Sequence, residues 1–455
     1  MTAPVQSKLL DTAVSMLDKH PICDRCLGRQ FAWLSTHTSN SERGHSLKLT
    51  LSMMADDELK SGDQEHGKTV ISLLAGHGMF KPAQAIAEKN VIEYEVEDNC
   101  HLCSMDGQSV FDRIKDVSNK ATDLVRDIEF DSFLVGTVPI PELDDRQDEI
   151  RSRYSLLHAE ALKSDFSREL GKQLHDVLRK DAEFERPDLV FLYDMVKNEV
   201  RLQINPVFIY GRYQKLKRGI PQSRWDCKEC KGKGCEACNG TGRRYPDSIS
   251  EYVGSVAQRV LKGTRFKFHA AGREDVDVLM LGDGRPFVVE ISEPRIRKPD
   301  LESLMKKINK EAKKRIGVRG LKLTTREHSQ QLKEDASTNI KEYLAIVQTD
   351  GLIENEDLRR VEAELSGTEV EQRTPNRVSH RRSDLVRKKR IHEVRLMKLK
   401  DGNIEAFFKV QGGTYIKELV SGDEGRTNPS LASKLGVGCV CEKLDVMAIY
   451  SGNLS

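Results

Sequence analysis

No apolar run in this sequence approaches the roughly 18 to 20 residues that a bilayer-spanning helix requires. Hydrophobic residues make up 38% of the chain against 32% charged, a balance that predicts a soluble, well-solvated protein with no membrane partner. A large charge of either sign is also missing. The 73 Lys and Arg nearly cancel the 71 Asp and Glu, leaving +2, so any case for nucleic acid must rest on local clusters. There is no GxGxxG, so no dinucleotide fold is indicated. The start, Met1 to His20, lacks a signal-peptide pattern; Leu9, Leu10, Ala13, Met16 and Leu17 recur at helical spacing and predict an amphipathic helix. The expected compartment is cytoplasmic.

One stretch does match a phosphate-loop pattern, Gly62 to Thr69 as GxxxxGK(S/T). Its surroundings argue against that use. Met53 to Lys60 is polar and helix-like where a buried strand is needed, and Asp63 and Glu65 would face the phosphates. A solvated loop is the expectation, and a nucleotide cofactor is not.

What is present begins with cysteine. The chain has 455 residues and ten cysteines, enough length for two or three domains. Eight of the cysteines form CxxC pairs, a spacing that favours metal over disulfides in a reducing compartment. Cys23 and Cys26 with Cys100 and Cys103 make one candidate tetrathiolate set. Cys227, Cys230, Cys235 and Cys238 make a second, within two back-to-back CxxCxGxG units whose glycines permit tight turns. No His or carboxylate completes an open site in the second, so its expected metal is structural zinc. Two ions are expected in all. Cys439 and Cys441 are expected to be buried free thiols.

Between the cysteine sets, residues 129–212 read as an α+β module. A strand at Ser132 to Thr137 precedes helices at Asp148 to Leu162 and Asp165 to Leu178, and strands at Asp188 to Asp194 and Glu199 to Ile204 pair. Then Arg212, Lys215, Lys217, Arg218 and Arg224 interleave with Tyr213 and Trp225, a composition suited to gripping nucleic acid, or to a plain solvated loop.

The stretch Ala271 to Ile291 carries the candidate chemistry. Val276 to Met280 and Pro286 to Ile291 read as two strands of a hairpin turning at Gly282-Asp283-Gly284-Arg285. Asp275 sits in the corner before it, where rigid backbone can hold a reactive carboxylate. Later, Leu301 to Ile316 predicts a helix with a lysine-rich face, ended by Gly317. Lys341 to Val347 predicts a strand carrying Tyr343. The most basic segment is residues 372–394, with Arg377, Arg381 and Arg382 as candidate contacts to RNA backbone.

The wording of these motifs resembles the pseudouridine synthase 10 family of archaeal and eukaryotic tRNA enzymes. The resemblance is carried by Gly272-Arg-Glu-Asp275 with the LGxGRPFVVEI that follows, by Thr374-Pro-x-Arg377-Val-x-His-Arg381-Arg382, and by Gly413-Thr-Tyr415-Ile416-Lys417. The last is also similar to the final active-site motif of TruB-like synthases. It implies an α+β chain: residues 1–208 an accessory domain with a CxxC zinc site and a THUMP-like RNA-binding module, residues 209–455 a catalytic domain. In the catalytic domain it implies a central mixed, mainly antiparallel sheet and a zinc-knuckle loop at 225–242. It implies Asp275 as nucleophile and Tyr343, Tyr415, Ile416 and Leu444 enclosing a flipped base. Lys417 would pair with the aspartate and Arg273 would stand near it. Arg212, Lys215 and Arg218 would join Arg377, Arg381 and Arg382 on the RNA. The implied substrate is the TΨC arm of tRNA, at uridines 54 and 55, with no cofactor for catalysis and a monomeric enzyme. The competing reading is a non-catalytic tRNA-binding protein or RNA chaperone. Other THUMP-bearing modifiers need a cofactor loop or a Ser-Gly-Gly motif, and neither is found. The cysteine repeat also resembles the zinc region of DnaJ-type co-chaperones, which carry more copies and a His-Pro-Asp that this chain lacks.

Overall fold

The computed structural model describes residues 6–35, 37–335, 338–381 and 383–450. The chain divides between Asn205 and Pro206 into two compact units.

The first unit opens with five helices, α1 (Gln6–Lys19), α2 (Asp24–Arg29), α3 (Asn40–Ser61), α4 (Gln64–Ala75) and α5 (Lys81–Lys89). Ala13, Met16 and Leu17 of α1 are wholly buried, as the helical spacing predicts. α3 starts on a capping box in which Ser39 and Glu42 satisfy each other's backbone N–H. The Gly62 to Thr69 stretch is neither a phosphate loop nor the solvated loop expected. Gly62 closes α3, Asp63 caps α4 by accepting from His66 N at 3.2 Å, and Gly67 lies inside α4, where a Cβ would come 2.8 Å from Ala55 O. Helix contact between α3 and α4 explains that glycine.

A small hairpin, β1 (Ser104–Met105) and β2 (Gln108–Ser109), and α6 (Ile114–Leu124) lead into β3 (Ser132–Val138), α7 (Pro141–Tyr154), α8 (Leu162–Leu178), β4 (Asp181–Ala182), β5 (Leu189–Asp194) and β6 (Glu199–Ile204). These strands form one sheet in the order β4-β3-β5-β6. α7 begins earlier than the predicted Asp148 and ends at Tyr154, because Pro141 suits a helix's first turn and Ser155 takes a left-handed φ of 52°. Leu170 and Leu174 of α8 pack with Phe133 and Phe191 in the core.

The second unit is built on β7 (Val207–Lys215), α9 (Ile249–Leu261), β8 (Arg265–Ala270), β9 (Leu279–Ser292), α10 (Leu301–Glu311), β10 (Ile316–Thr324), α11 (Arg326–Glu334), β11 (Ile340–Thr349), α12 (Asn355–Leu365), β12 (Glu369–Arg373), β13 (Val386–Lys398), β14 (Ile404–Gln411), α13 (Ile416–Ser421), β15 (Thr427–Asn428), α14 (Leu431–Leu435) and β16 (Cys439–Tyr450). Ten strands form a single sheet, in the order β10-β7-β9-β16-β11-β14-β13-β12-β15 with β8 added to β9. Every pairing in it is antiparallel except β9 with β16. The expected mixed, mainly antiparallel sheet is therefore present. Ile249, Val253, Val256 and Ala257 of α9 and Leu358, Val361 and Leu365 of α12 bury their helical stripes in its core. Among the described residues no helix is long and apolar enough to cross a membrane.

Two local expectations fail. Residues 279–292 form one strand, not a hairpin. Gly282 and Gly284 have φ of 52° and 75°, but they mark an irregularity in β9. A Cβ at Gly282 would lie 1.8 Å from Met447 O, and one at Gly284 would lie 2.6 Å from Tyr213 O. These glycines admit neighbouring backbones; they do not reverse the chain. The true hairpin is β8–β9, and Asp275 lies in its connection, residues 271–278. The helix from Leu301 stops at Glu311, because Lys313 and Lys314 adopt positive φ, and Ile316 and Gly317 open β10.

Candidate active site

The loop joining β8 to β9 is fixed from beneath by buried charge. Arg285 of β9 donates from Nε to Glu274 Oε2 at 2.8 Å and from Nη1 to Ala271 O at 2.7 Å. Tyr213 of β7 donates its hydroxyl to the same Glu274 carboxylate, 2.9 Å from the nearer oxygen. Both side chains of the Arg285–Glu274 pair are only 2% exposed, so breaking it by removing one partner would strand the other charge. Lys215, wholly buried, donates to the carbonyls of Asp275 at 3.0 Å and Val276 at 2.7 Å. Gln222 reaches Gly272 O at 2.9 Å.

Asp275 stands on this support with its carboxylate partly open. Arg377 Nη1 donates to Oδ2 at 2.8 Å, and Lys417 Nζ lies 3.7 Å from the same oxygen. Each cation has a second anchor. Arg377 also bonds Glu418, its Nε to Oε1 at 2.6 Å, while Lys417 donates to Asp277 Oδ2 at 2.7 Å. Burial raises the Asp277 pKa, but the Lys417 hydrogen bond and charge outweigh it and leave that carboxyl below its usual value.

Beside Asp275 opens a cavity of about 470 Å³, lined among others by Tyr343, Tyr415, Ile416, Leu444, Val446 and Trp225. The volume suits a single ring with its sugar. Gln372 fixes the turn before α13 by accepting from Tyr415 N at 2.8 Å and donating to Tyr415 O at 2.9 Å. Tyr343 comes from β11, and burial pushes its hydroxyl up to about 12. Arg273 lies over the Trp225 ring at 4.9 Å. The structure thus brings Asp275, Arg273, Tyr343, Tyr415, Ile416, Lys417 and Leu444 around one recess.

The residues expected on RNA fare differently. Lys215 is buried beneath the Asp275 loop and offers nothing to a phosphate, a correction to its expected role. Arg212 engages the carbonyls of Asp283, Gly284 and Ile449, and Arg218 those of Asp277 and Leu444 plus the Asp445 carboxylate. Arg212 thereby ties β7 to β9 and β16, and Arg218 ties the segment after β7 to residues 277 and 444–445. Arg377 points at Asp275. The Arg381 side chain and Arg382 lie outside the described residues. Sequence reasoning missed the Glu274–Arg285–Tyr213 group altogether and gave no sign that Arg377 pairs with Asp275.

Each cysteine set closes on itself, with four ligand atoms within 4.8 Å of one another. In a zinc tetrathiolate with arms of ~2.3 Å, sulfurs sit ~3.8 Å apart. Cys23 to Cys103 measures 3.8 Å, Cys227 to Cys235 3.9 Å, Cys230 to Cys238 3.8 Å and Cys235 to Cys238 3.7 Å. Backbone N–H groups also aim at sulfur, from Cys23 to Cys100 at 3.3 Å and from Gly234 to Cys230 at 3.2 Å. All ten cysteines are free; Cys439 is buried, whereas Cys441 is only partly so.

Fold and site define a class: an α+β protein of two units with paired tetracysteine clusters and a carboxylate-centred cavity in a large mixed sheet. The chain belongs to the Pus10 family. The family's C-terminal model matches residues 208–450, and the model of the archaeal Pus10 THUMP domain matches residues 117–194. A tRNA pseudouridine synthase Pus10 of Methanocaldococcus jannaschii is 41% identical over 96% of this chain and 94% of its own length. Its counterpart in Halorubrum lacusprofundi is 38% identical over 97% and 96%. A solved Cbf5–Nop10–Gar1 complex overlaps 44% of this chain and 46% of its own at 18% identity, with a TM-score of 0.28, too slight a likeness to carry weight.

Proposed function

We propose that this protein isomerises uridine to pseudouridine in tRNA, at positions 54 and 55 of the TΨC arm, with Asp275 as the nucleophile. The observation that carries the reading is the carboxylate of Asp275, gripped at 2.8 Å by Arg377 beside a cavity walled by Tyr343, Tyr415, Ile416 and Leu444. In the reaction the C1′–N1 bond breaks, a C1′–C5 bond forms, C5 loses a proton and N1 gains one. No electron or phosphoryl donor enters, so no nucleotide cofactor is called for. Flipping the uridine out of its arm costs a few kcal/mol. Stacking on Tyr343 and Tyr415 and contact with Ile416 and Leu444 offset part of that cost. Arg377 and Lys417 fix the carboxylate at the rim, where the sugar and glycosidic bond of an inserted uridine would lie.

The THUMP module supplies further RNA contact, and the basic segment that contains Arg381 and Arg382 is a second source of it. Each cysteine cluster would hold one structural zinc, which stiffens its segment and takes no part in the chemistry. The protein would act on tRNA in the cytoplasm as a monomer. The test is incubation with an unmodified tRNA transcript, with tritium release from 5-³H-uridine and mapping of pseudouridine by chemical probing. Wild-type protein modifies the TΨC arm. Asp275→Ala falls to background while its tRNA Kd stays within about threefold, as expected for a group acting in the chemical step. Tritium release by Asp275→Ala would sink the assignment.

A further inference from the structure

Lys341 is a lysine where physical chemistry disfavours one. It lies on β11 two residues before Tyr343, so strand alternation puts both side chains on one face, and both line the cavity. It is 5% exposed, yet among the described residues no hydrogen bond or ion pair reaches its Nζ. The charged groups around it explain the isolation. Arg285 of β9 is already matched to Glu274. Lys389 of β13 donates to Gly412 O at 2.8 Å and is itself cationic. Asp275 is held by Arg377 and Lys417, and Lys333 of α11 adds a further cation to the cavity lining. Gly272 packs its bare Cα against both nitrogens: a Cβ there would meet Arg285 Nη1 and Lys341 Nζ, each at 3.1 Å. The cavity lining therefore holds more cations (Arg273, Arg285, Lys333, Lys341, Arg377 and Lys417) than its carboxylates, Glu274 and Asp275, can match.

A buried ammonium with no counterion is strongly disfavoured, and such features persist where a ligand supplies the missing charge. We infer that Lys341 is a substrate-contacting catalytic residue, whose amine donates hydrogen bonds to the uracil oxygen that gathers negative charge when the C1′–N1 bond breaks. The inference rests on the uridine-isomerising reading above. The electron pair of that bond passes to the base and spreads onto its carbonyl oxygens. It returns when C5 bonds C1′, and Lys341 ends the cycle unchanged. Donors fixed in a dry pocket favour that intermediate more than the neutral base. A phosphate is the other anion tRNA offers, but Lys341 is only 5% exposed and lines the cavity beside Tyr343, which favours an inserted base over the backbone.

Burial, aided by Arg285, brings the Lys341 amine down to about 7 in the free protein. Because the protonated form donates, wild-type kcat/KM should fall as pH rises through about 7. The decisive variant is Lys341→Met, which keeps length and removes charge. Its kcat should drop about 100-fold, with tRNA Kd within about threefold and the pH limb near 7 gone. Its Tm should hold or rise, since an unpaired buried charge has been removed. Turnover within threefold of wild type would overturn the inference. So would a loss confined to Kd with a salt slope reduced by about one, the mark of a phosphate contact. Should Lys341→Met not fold, Lys341→Ala with added ethylamine decides: saturable rescue of kcat supports the inference and absence of rescue overturns it. Wild-type protein that forms no pseudouridine in any transcript would defeat the underlying reading, a result distinct from these.

Discussion

Cys23 and Cys100 stand 77 residues apart and join two separate knuckles, whereas Cys227 and Cys235 are eight apart within one loop. The first cluster lies in a core: Cys26 is 0% exposed, and Leu27 and Leu102 beside the knuckles are equally buried. Arg29 is buried there too, and among the described residues its guanidinium has no hydrogen-bond partner. Burial opposes that charge, and the cluster thiols and Asp165 favour it. The second cluster lies in a glycine-turned loop with a short stem, Asp226 bridged to Arg243 and Arg244 N bonded to Trp225 O. Equal ligand chemistry thus serves different ends. A metal that closes a long loop inside a core is part of folding; one inside a short loop shapes only that loop.

The sharpest way to break this contrast is to remove one ligand from each. Cys100→Ser should cost the first unit its cooperative unfolding, lowering Tm by more than about 10 °C and opening residues 6–205 to protease. Metal content should fall from two ions per chain to one. Cys235→Ser should show the same loss of one ion by mass spectrometry yet leave Tm within about 3 °C. Its effect should appear in turnover, as roughly a tenfold lower kcat/KM, because Trp225 at the base of the stem is also a wall of the cavity. Equal melting shifts in the two variants would erase the distinction.

The cysteine spacing made the second cluster legible in the sequence, since its four ligands share one short loop, whereas spacing showed only the two knuckles of the first and not that they meet across 77 residues. Asp275, Tyr343 and the Tyr415 to Lys417 turn were legible through motif wording, and the strand–helix–helix–hairpin order of residues 129–204 through periodicity. What escaped is nonlocal. Lys215 looks like one of a run of solvated cations, and only the alternation Ile209, Tyr213, Lys215 on the core face of β7 signals its burial. Arg377 was hidden in the most basic segment, and nothing near it in sequence reveals that its partners are Asp275 and Glu418. Gly282 and Gly284 carry the same local signature in a turn as in a bulge; the difference lies in β16 and β7, which come close enough to forbid a Cβ. Buried charge such as Arg285 and Lys341 follows the same rule, being decided by distant partners.

The smallest expected effect tests how the second cluster reaches the chemistry. Trp225 receives the guanidinium of Arg244 at 5.2 Å and that of Arg273 at 4.9 Å, and packs edge-on to Tyr245 at 5.5 Å. Arg273 is two residues from Asp275, so the indole links the knuckle stem to the loop bearing the carboxylate. A cation–π contact at a partly exposed site contributes about 0.5–1 kcal/mol. Trp225→Ala should therefore lower kcat/KM about two- to fivefold with both metal ions retained. If that variant reproduces most of the Cys235→Ser loss, the knuckle acts through this ring. If it is silent while Cys235→Ser is not, the metal loop works by touching RNA itself, and the ring merely fills space.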